Sequence, residues 1–203
     1  MRAVICPAYI PNVAYFSYLS KQEKSYFVSD THYQKQTFRN RTVIYGANGK
    51  LNLIIPIVHK KQPYQLESEV EISYEINWQK EHRKSICSAY RSSPYFEFYE
   101  ADLAPFFNEK IISLYEFNLT LIEKIMFLLE LPFSFESVLF DKENDLREDR
   151  LVLAKKIPPI IQEKYTQVFE DKAGFLSNLS VLDALFNLGP NCAYYVKNAN
   201  LPA

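Results

Sequence analysis

The first part of the chain alternates between strand-like and helix-like patterns. The short apolar run AVIC is typical of a buried strand, and Pro7 ends it. In NVAYFSYLSKQE, apolar residues recur every three or four positions after Asn12, a residue type that commonly caps helices. The run SYFVSD then returns to strand composition. This order of strand, helix and strand predicts a βαβ-like opening of an α/β layer.

Two further strand patterns follow and flank the link GANG within TVIYGANGKLNLIIPIV. A short glycine-containing link between two apolar runs is typical of a β-hairpin. The next run, EVEIS, alternates between charged and apolar residues and predicts one more strand. We therefore expect a mixed sheet within an α/β core that covers about residues 1–75.

From Asn77 onwards the pattern becomes helical. The run NWQKEHRKSICSAYR places its apolar side chains on one face of a predicted helix. These side chains belong to Trp78, His82, Ile86, Ala89 and Tyr90. The run KIISLYEFNLTLIEKIMFLLEL is the longest helical pattern, and NLSVLDALFNLGP predicts a short helix. Ser180 is the expected N-cap of the short helix, and Asp183 is expected to complete a capping box.

Between the longest predicted helix and the short helix after Ser180, SFESVLF predicts a strand and the charged run DKENDLREDR predicts a loop. The whole pattern predicts an α/β protein with an N-terminal mixed sheet, a βαβ-like opener and a mainly helical C-terminal half. We expect a single domain over residues 1–203, with the α/β core at about 1–75 and the helical part at about 76–203.

Composition narrows the function classes. Hydrophobic residues make up 48% of the chain, which is enough for a sizeable core, and the net charge of −1 disfavours nucleic acid as a partner. With four glycines and no GxGxxG or Walker pattern, we expect no cofactor. Three distant cysteines and three histidines without ligand spacing predict no disulfide framework and no metal site. The absence of a long apolar run or a signal peptide predicts no membrane span and a cytoplasmic location.

The strongest candidate for chemistry is the stretch HYQKQTFRNR, which follows the second predicted strand. It contains Lys35, Arg39 and Arg41 and no acidic residue. Guanidinium groups bind phosphate or carboxylate through paired N–H donors, and open α/β sheets bind ligands beyond the carboxyl ends of their strands. The stretch is therefore either an anion-binding loop or a solvated basic connector, and residue types alone leave both interpretations open.

Three other side chains also have two interpretations each. His82, on the apolar face of its predicted helix, is a core histidine or a general base. Cys6 follows the first predicted strand and is a buried inert thiol or a nucleophile. Asp30 would orient His32 or pair with Arg41.

Four blocks in the chain carry a resemblance to a known family. They are CPAYIPNVAYF, DTHYQKQTFRNRTVIYGANGKLNLIIPI, NWQKEHRKSICSAYRSSPYFEFY and NLSVLDALFNLGP. In this order they resemble the WbqC-like family of bacteria, and most of all its form in Bacteroidetes. Family members commonly open with His-Gln-Pro-x-Tyr-x-Pro. Here Pro7, Tyr9 and Pro11 match this motif, whereas Ile5 and Cys6 replace the His and the Gln.

A second family run, with Asp, Gln-Tyr, Lys and Asn-Arg, falls on the basic stretch. The matching positions are Asp30, His32, Tyr33, Lys35, Asn40 and Arg41, with His32 in place of the Gln. The family's Trp and His on a helix fall on Trp78 and His82. Gln34, Gln36 and Arg39 lie outside the family pattern, and we expect them to be bystanders.

From the resemblance we expect two groups of site residues. The expected catalytic residues are His82, His32 and Asp30. The expected ligand-binding residues are Tyr9, Tyr33, Lys35, Asn40, Arg41 and Trp78. No metal ligand is expected among them.

The resemblance also implies a function. The family occurs among loci for O-antigen and other surface polysaccharides, and transfer of glycine or a similar acyl group has been suggested for it. It therefore implies a cytoplasmic transferase that acts on an anionic small molecule, either a nucleotide-linked or an acyl donor. The alternative is a non-catalytic binding or scaffold protein of a biosynthetic complex. The 15 Tyr and 15 Phe residues can form aromatic interaction surfaces, which motivates this alternative, and the partner classes that we consider include a homo-oligomer.

Overall fold

The computed structural model describes residues 1–58, 60, 64–154 and 160–200. Within them, the strands are β1 (Arg2–Val4), β2 (Ser25–Val28), β3 (Arg41–Gly46), β4 (Gly49–Ile54), β5 (Phe135–Val138) and β6 (Asp145–Arg147). The helices are α1 (Val13–Leu19), α2 (Trp78–Tyr90), α3 (Phe96–Leu103), α4 (Pro105–Asn108), α5 (Leu114–Leu128), α6 (Glu170–Ala173), α7 (Val181–Leu188) and α8 (Cys192–Asn198). This combination confirms the predicted α/β class with a mainly helical C-terminal half.

Four of the strands form one parallel arrangement in the order β6, β1, β2, β5. Strand β1 pairs with β6 and β2 pairs with β5, both in parallel. A parallel bridge between Ile5 and Phe27 joins the two pairs. Its hydrogen bonds run from the Ile5 amide to the Tyr26 carbonyl (3.0 Å) and from the Val28 amide to the Ile5 carbonyl (3.1 Å). The carboxyl ends of all four strands therefore lie at one edge.

The predicted βαβ-like opener is present as β1, α1 and β2. Asn12 caps α1, because its side-chain oxygen accepts a hydrogen bond from the Tyr15 amide at 3.0 Å. The inner face of α1 buries Val13, Phe16 and Leu19 in the hydrophobic core. The helix therefore forms where its cap and its apolar spacing predict it.

The predicted hairpin is present as β3 and β4, which pair antiparallel from Arg41 opposite Ile54 to Gly46 opposite Gly49. Gly49 has a φ of 100°, a backbone conformation that favours glycine. The prediction of a strand at EVEIS is wrong. Ile72 and Glu71 form only isolated bridges, to Ile57 and Ser113 respectively, because neighbouring segments meet them at single points rather than along a ladder.

The C-terminal half supplies two strands of the parallel arrangement. The strand predicted from SFESVLF is confirmed as β5. The loop predicted from DKENDLREDR is wrong, because β6 lies within it. Asp145 in β6 receives two hydrogen bonds from the Arg2 guanidinium, at 2.7 and 2.8 Å, and Leu146 is 57% exposed. Charged residues thus form this outer strand, because its side chains face the solvent or a charged partner.

The short helix α7 begins after Ser180, as predicted, and the Ser180 hydroxyl accepts from the Leu182 amide at 3.3 Å. The predicted capping-box role of Asp183 is wrong. Its carboxylate is fully buried and accepts hydrogen bonds from Tyr165 (2.5 Å) and Gln167 (2.8 Å) instead. The Asp183 carboxylate therefore binds residues outside α7 and does not cap the helix in the way that the local pattern predicts.

No helix in the described part of the chain is long and apolar enough to cross a membrane. The longest, α5, has 15 residues and buries one face in the hydrophobic core. Its Ser113 cap accepts a hydrogen bond from the Glu116 amide at 3.2 Å. The buried face of α5 includes Asn118, which reaches the loops at the carboxyl edge of the sheet.

Candidate functional site

Residues from distant parts of the chain meet at the carboxyl edge of the parallel strands. Cys6 follows β1, Thr31 follows β2 and Arg147 ends β6. The Glu67 amide donates a hydrogen bond to the Thr31 carbonyl at 2.9 Å, which brings a fourth segment to this edge. Open α/β sheets bind their ligands at such an edge.

The centre of this edge is a buried ion pair between Arg39 and Glu67. Arg39 is 1% exposed, and its Nε donates to Glu67 Oε1 at 2.5 Å. Its Nη2 lies 3.1 Å from Cys6 Sγ and 3.8 Å from Asp149 Oδ1. Its Nη1 is buried and has no hydrogen-bond partner among the described residues. Arg39, predicted to be a bystander, is thus the most enclosed cation of the basic stretch.

The loop that carries Arg39 is held from several sides. Asn118 of α5 donates to the Arg39 carbonyl at 2.7 Å. The neighbouring Phe38 accepts from the Tyr9 amide at 2.9 Å and donates to the Val152 carbonyl at 2.8 Å. These bonds fix the backbone of the loop between α5, the segment after β1 and the segment after β6, and the ion pair with Glu67 holds the guanidinium.

Burial sets the protonation states of the two groups beside Arg39. It raises the pKa of the Cys6 thiol to about 11, with a further increase from the charge of Glu67, whereas Arg39 and Arg147 oppose the change. Cys6 is therefore protonated at neutral pH, which favours the interpretation as a buried thiol. Burial also raises the pKa of Glu67, and contact with Arg39 offsets this only in part.

Two further arginines lie within electrostatic range of this region. The charge of Arg147 acts on Glu67 and Cys6, and the charge of Arg41 acts, like those of Arg39 and Glu67, on the Tyr33 phenol. Arg41 and Arg147 are half-buried, and each has a buried Nε atom without a hydrogen-bond partner among the described residues. Arg147 also donates from Nη2 to Asp149 Oδ1 at 2.9 Å. Arg39, Arg41 and Arg147 together carry three positive charges against two carboxylates, Glu67 and Asp149. We call these five residues the edge cluster.

Tyr33, one of the predicted ligand-binding residues, lies within the electrostatic range of the edge cluster. Burial raises the pKa of its phenol, Glu67 adds to the increase, and the nearby positive charges of Arg39 and Arg41 oppose it. The hydroxyl is therefore protonated at neutral pH and can donate a hydrogen bond. Of the predicted ligand-binding residues, Arg41 and Tyr33 thus lie at the edge cluster.

Four other predicted residues of the 30–41 segment do not share this environment. Asp30 accepts from the Phe140 amide at 2.8 Å, and Asn40 donates to the Ile55 carbonyl at 2.9 Å. Both contacts connect backbone segments. His32 and Lys35 are exposed, and the His32 ring lies 4.9 Å from the ring of Tyr64.

Tyr9, Trp78 and His82, the other three predicted residues, form a separate aromatic cluster. The Tyr9 hydroxyl and His82 Nδ1 form a hydrogen bond of 2.8 Å, and the two rings stack with centroids 5.6 Å apart. The Trp78 ring lies edge-on to His82 at 5.1 Å. All three residues are buried, with Trp78 and His82 at 2% and 5% exposure. This geometry favours the interpretation of His82 as a core histidine.

The pH dependence of stability tests this interpretation of His82. Burial lowers its pKa from 6.5 to about 4, and a hydrogen bond with the Ile54 backbone opposes this only in part. Between these pH values the unfolded chain binds a proton that the folded protein does not. We therefore expect the free energy of unfolding to fall by up to about 3 kcal/mol as the pH drops from 6.5 to 4, measured by urea denaturation.

The control for the His82 prediction is the His82→Gln protein, which keeps a side chain that can accept from Tyr9 but cannot titrate. It should lose this part of the pH dependence. If wild type and His82→Gln lose the same stability over this pH range, His82 is not held neutral by burial.

Sequence reasoning missed Arg39, Glu67, Arg147 and Asp149 as members of one cluster. Glu67 is 28 positions from Arg39, and no local pattern connects them. In the sequence, Arg39 is one of several cations in a basic run, and burial distinguishes it only after folding. The position of the basic stretch after β2 was the one available signal.

Among the described residues, no group of three or more His, Cys, Asp or Glu side chains could hold a metal ion.

The fold and the edge cluster define an α/β protein with a buried cationic group at the carboxyl ends of parallel strands. The chain belongs to the WbqC-like protein family, whose family model matches residues 6–157. This span contains every member of the edge cluster and every predicted site residue. No curated protein and no solved structure matched the chain significantly.

Proposed function

We propose that this protein is a transferase whose anionic donor binds at the edge cluster. The observation that carries the proposal is the set of three buried guanidinium nitrogens without partners: Nη1 of Arg39, Nε of Arg41 and Nε of Arg147. A buried N–H donor without a partner costs free energy, and a phosphate or carboxylate oxygen would satisfy it with a charge-assisted hydrogen bond.

The position of the edge cluster supports a ligand site. It lies where parallel strands end. Asn118 holds the backbone of Arg39, Arg41 begins β3, and Arg147 ends β6 and donates to Asp149. Arg41 and Arg147 would neutralise the charge that develops on the leaving group, and the Tyr33 hydroxyl would donate to the same anion. Lys35, exposed on the segment that carries Arg39 and Arg41, would add positive charge to the surface of this segment.

The transferred group follows from the family rather than from the geometry. Glycine or a similar acyl group, passed to a surface polysaccharide or its precursor, is the transfer that the family resemblance suggests. His82 is enclosed by Tyr9 and Trp78, whereas His32 is exposed and can meet an acceptor that arrives from solvent. We propose His32 as the general base for the acceptor.

Thermal shift measurements with a panel of anions test the donor site. The panel contains inorganic phosphate, pyrophosphate, nucleotide-linked sugars and aminoacyl donors. We expect at least one of them to stabilise the wild-type protein, and Arg41→Gln or Arg147→Gln to weaken its binding by about 10-fold or more, since each removes one charge-assisted contact of about 1.5–3 kcal/mol.

Arg150→Gln is the matched control, because Arg150 lies near Arg147 but is exposed and pairs with Glu148 at 2.6 Å. It should bind the stabilising anion as wild type does. If folded Arg41→Gln and Arg147→Gln proteins show the same shifts as wild type, the edge cluster is not the donor site. Binding without any transfer of the acyl group to an acceptor would instead favour the non-catalytic alternative.

A further inference from the structure

A second cationic surface lies along the outer face of α2, away from the edge cluster. It is an open groove with a volume of about 1270 Å³, formed by α2, the segment before it and residues near Glu100 and Lys110. None of the five edge-cluster residues lines it. We call it the α2 groove.

The α2 groove is strongly basic. Five cations line it: Lys80, Arg83, Lys84, Arg91 and Lys110. Two carboxylates, Glu75 and Glu100, oppose them, and Arg83 lies 3.4 Å from Glu100. Among the ion pairs of the described residues, none involves Lys80, Lys84 or Arg91. This surplus is local, because the whole chain has a net charge of −1.

The unpaired cations extend along the helix. From Lys80 to Arg91 the chain advances eleven residues, and at 1.5 Å per residue this places them about 16 Å apart, with Lys84 between them. One phosphate or carboxylate cannot contact groups so far apart. The spacing therefore fits an elongated partner with several negative charges.

The character of the cations indicates a macromolecular partner. Lys80, Lys84 and Arg91 are exposed, whereas sites for small ligands use a few enclosed polar groups in a mostly apolar cavity. Ile76 also lines the groove and is 63% exposed. An apolar side chain beside a row of cations is complementary to a segment with both carboxylates and an apolar residue.

We propose that the α2 groove docks an acidic, amphipathic segment of a partner protein. Its Asp and Glu side chains would face Lys80, Lys84 and Arg91, and one of its apolar side chains would cover Ile76. An anionic glycan or a nucleic acid would satisfy the cations but has no aliphatic side chain to pack against Ile76, and the observations therefore favour the peptide. The α2 groove and the edge cluster share no residue, so this proposal stands independently of the proposed donor site.

Fluorescence anisotropy with two labelled peptides tests the proposal. One is an acidic helical peptide with Glu on one face and Leu on the other, and the second has Gln in place of each Leu. We expect the amphipathic peptide to bind more tightly, with an affinity that falls as salt rises. Lys80→Glu combined with Lys84→Glu should weaken its binding at least 10-fold, and Ile76→Ser should remove the preference for Leu.

Lys197→Glu is the matched control, since Lys197 is exposed on α8 and lies outside the groove. It should bind the amphipathic peptide as wild type does. The proposal is overturned if the double variant binds this peptide as well as the Lys197→Glu protein does. It is also overturned if a uronic-acid oligosaccharide or a single-stranded oligonucleotide of equal charge binds the groove more tightly than the amphipathic peptide.

Discussion

The Arg39→Met protein is expected to lose about 3–5 kcal/mol of its free energy of unfolding, the cost of breaking a buried salt bridge by removing one partner. Methionine fills part of the space of Arg39 but leaves Glu67 as a buried carboxylate without its cation. Burial already raises the pKa of Glu67 while Arg39 is present, so the unpaired acid would be strongly destabilising. Urea denaturation at pH 7 measures the loss.

The double variant Arg39→Met with Glu67→Leu separates the charge from the packing. Replacing both partners with apolar residues of similar volume removes the uncompensated charge, so most of the lost stability should return. Breaking an exposed ion pair lowers the free energy of unfolding by less than about 1 kcal/mol. If Arg39→Met alone has so small an effect, the ion pair is not enclosed in the folded protein.

Replacing Trp78 with alanine should cost about 3–5 kcal/mol, the usual range when a large buried aromatic side chain is truncated. Trp78 is 2% exposed and packs against Tyr9, His82 and Phe117, with ring centroids 5.1–6.4 Å apart. Removing the indole leaves a cavity among these three rings. Thermal and urea denaturation of the variant would measure the cost.

Trp78→Phe is the matched control, since it keeps an aromatic ring in the same cluster. Its loss should be clearly smaller than that of Trp78→Ala. A Trp78→Ala protein that is nearly as stable as wild type, yet impaired in donor binding, would contradict the packing role and support the ligand-binding role predicted from the sequence.

Local features of this fold could be predicted from the sequence. Asn12 and Ser180 cap helices where a cap residue precedes an apolar repeat, and GANG forms the hairpin turn because glycine allows the required backbone conformation. In each case the interacting groups lie within a few residues of each other. Such contacts form within one short segment and need no partner from a distant part of the chain.

Features that depend on distant partners could not be predicted in the same way. Strand β6 forms in a charged run, where it pairs with the distant β1 and where Asp145 binds Arg2, 143 positions away. Arg39 and Lys35 are similar in the sequence, yet one is enclosed by Glu67 and Cys6 and the other is exposed. Their difference arises from which loops close over them, and no pattern within the basic stretch encodes that.

The candidate site was predicted in part. The basic stretch, its position after β2 and the family were recognised from the sequence, and the match over residues 6–157 confirms the family. The predicted residues nevertheless divide between the edge cluster, the aromatic cluster and the surface. Arg41 and Tyr33 are the predicted residues that lie at the edge cluster, and we propose that they contact the anion.

Arginine side-chain NMR tests the proposed anion site most directly, because it observes the Nε–H groups themselves. In ¹⁵N-labelled protein, the Nε–H signals of Arg41 and Arg147 can be assigned from Arg→Lys variants and followed during titration with inorganic pyrophosphate. If the edge cluster binds anions, both signals shift along one saturating curve while the signal of exposed Arg150 does not. If the Arg41 and Arg147 signals stay unchanged, or shift no more than that of Arg150, the edge cluster does not bind this anion and the proposal fails.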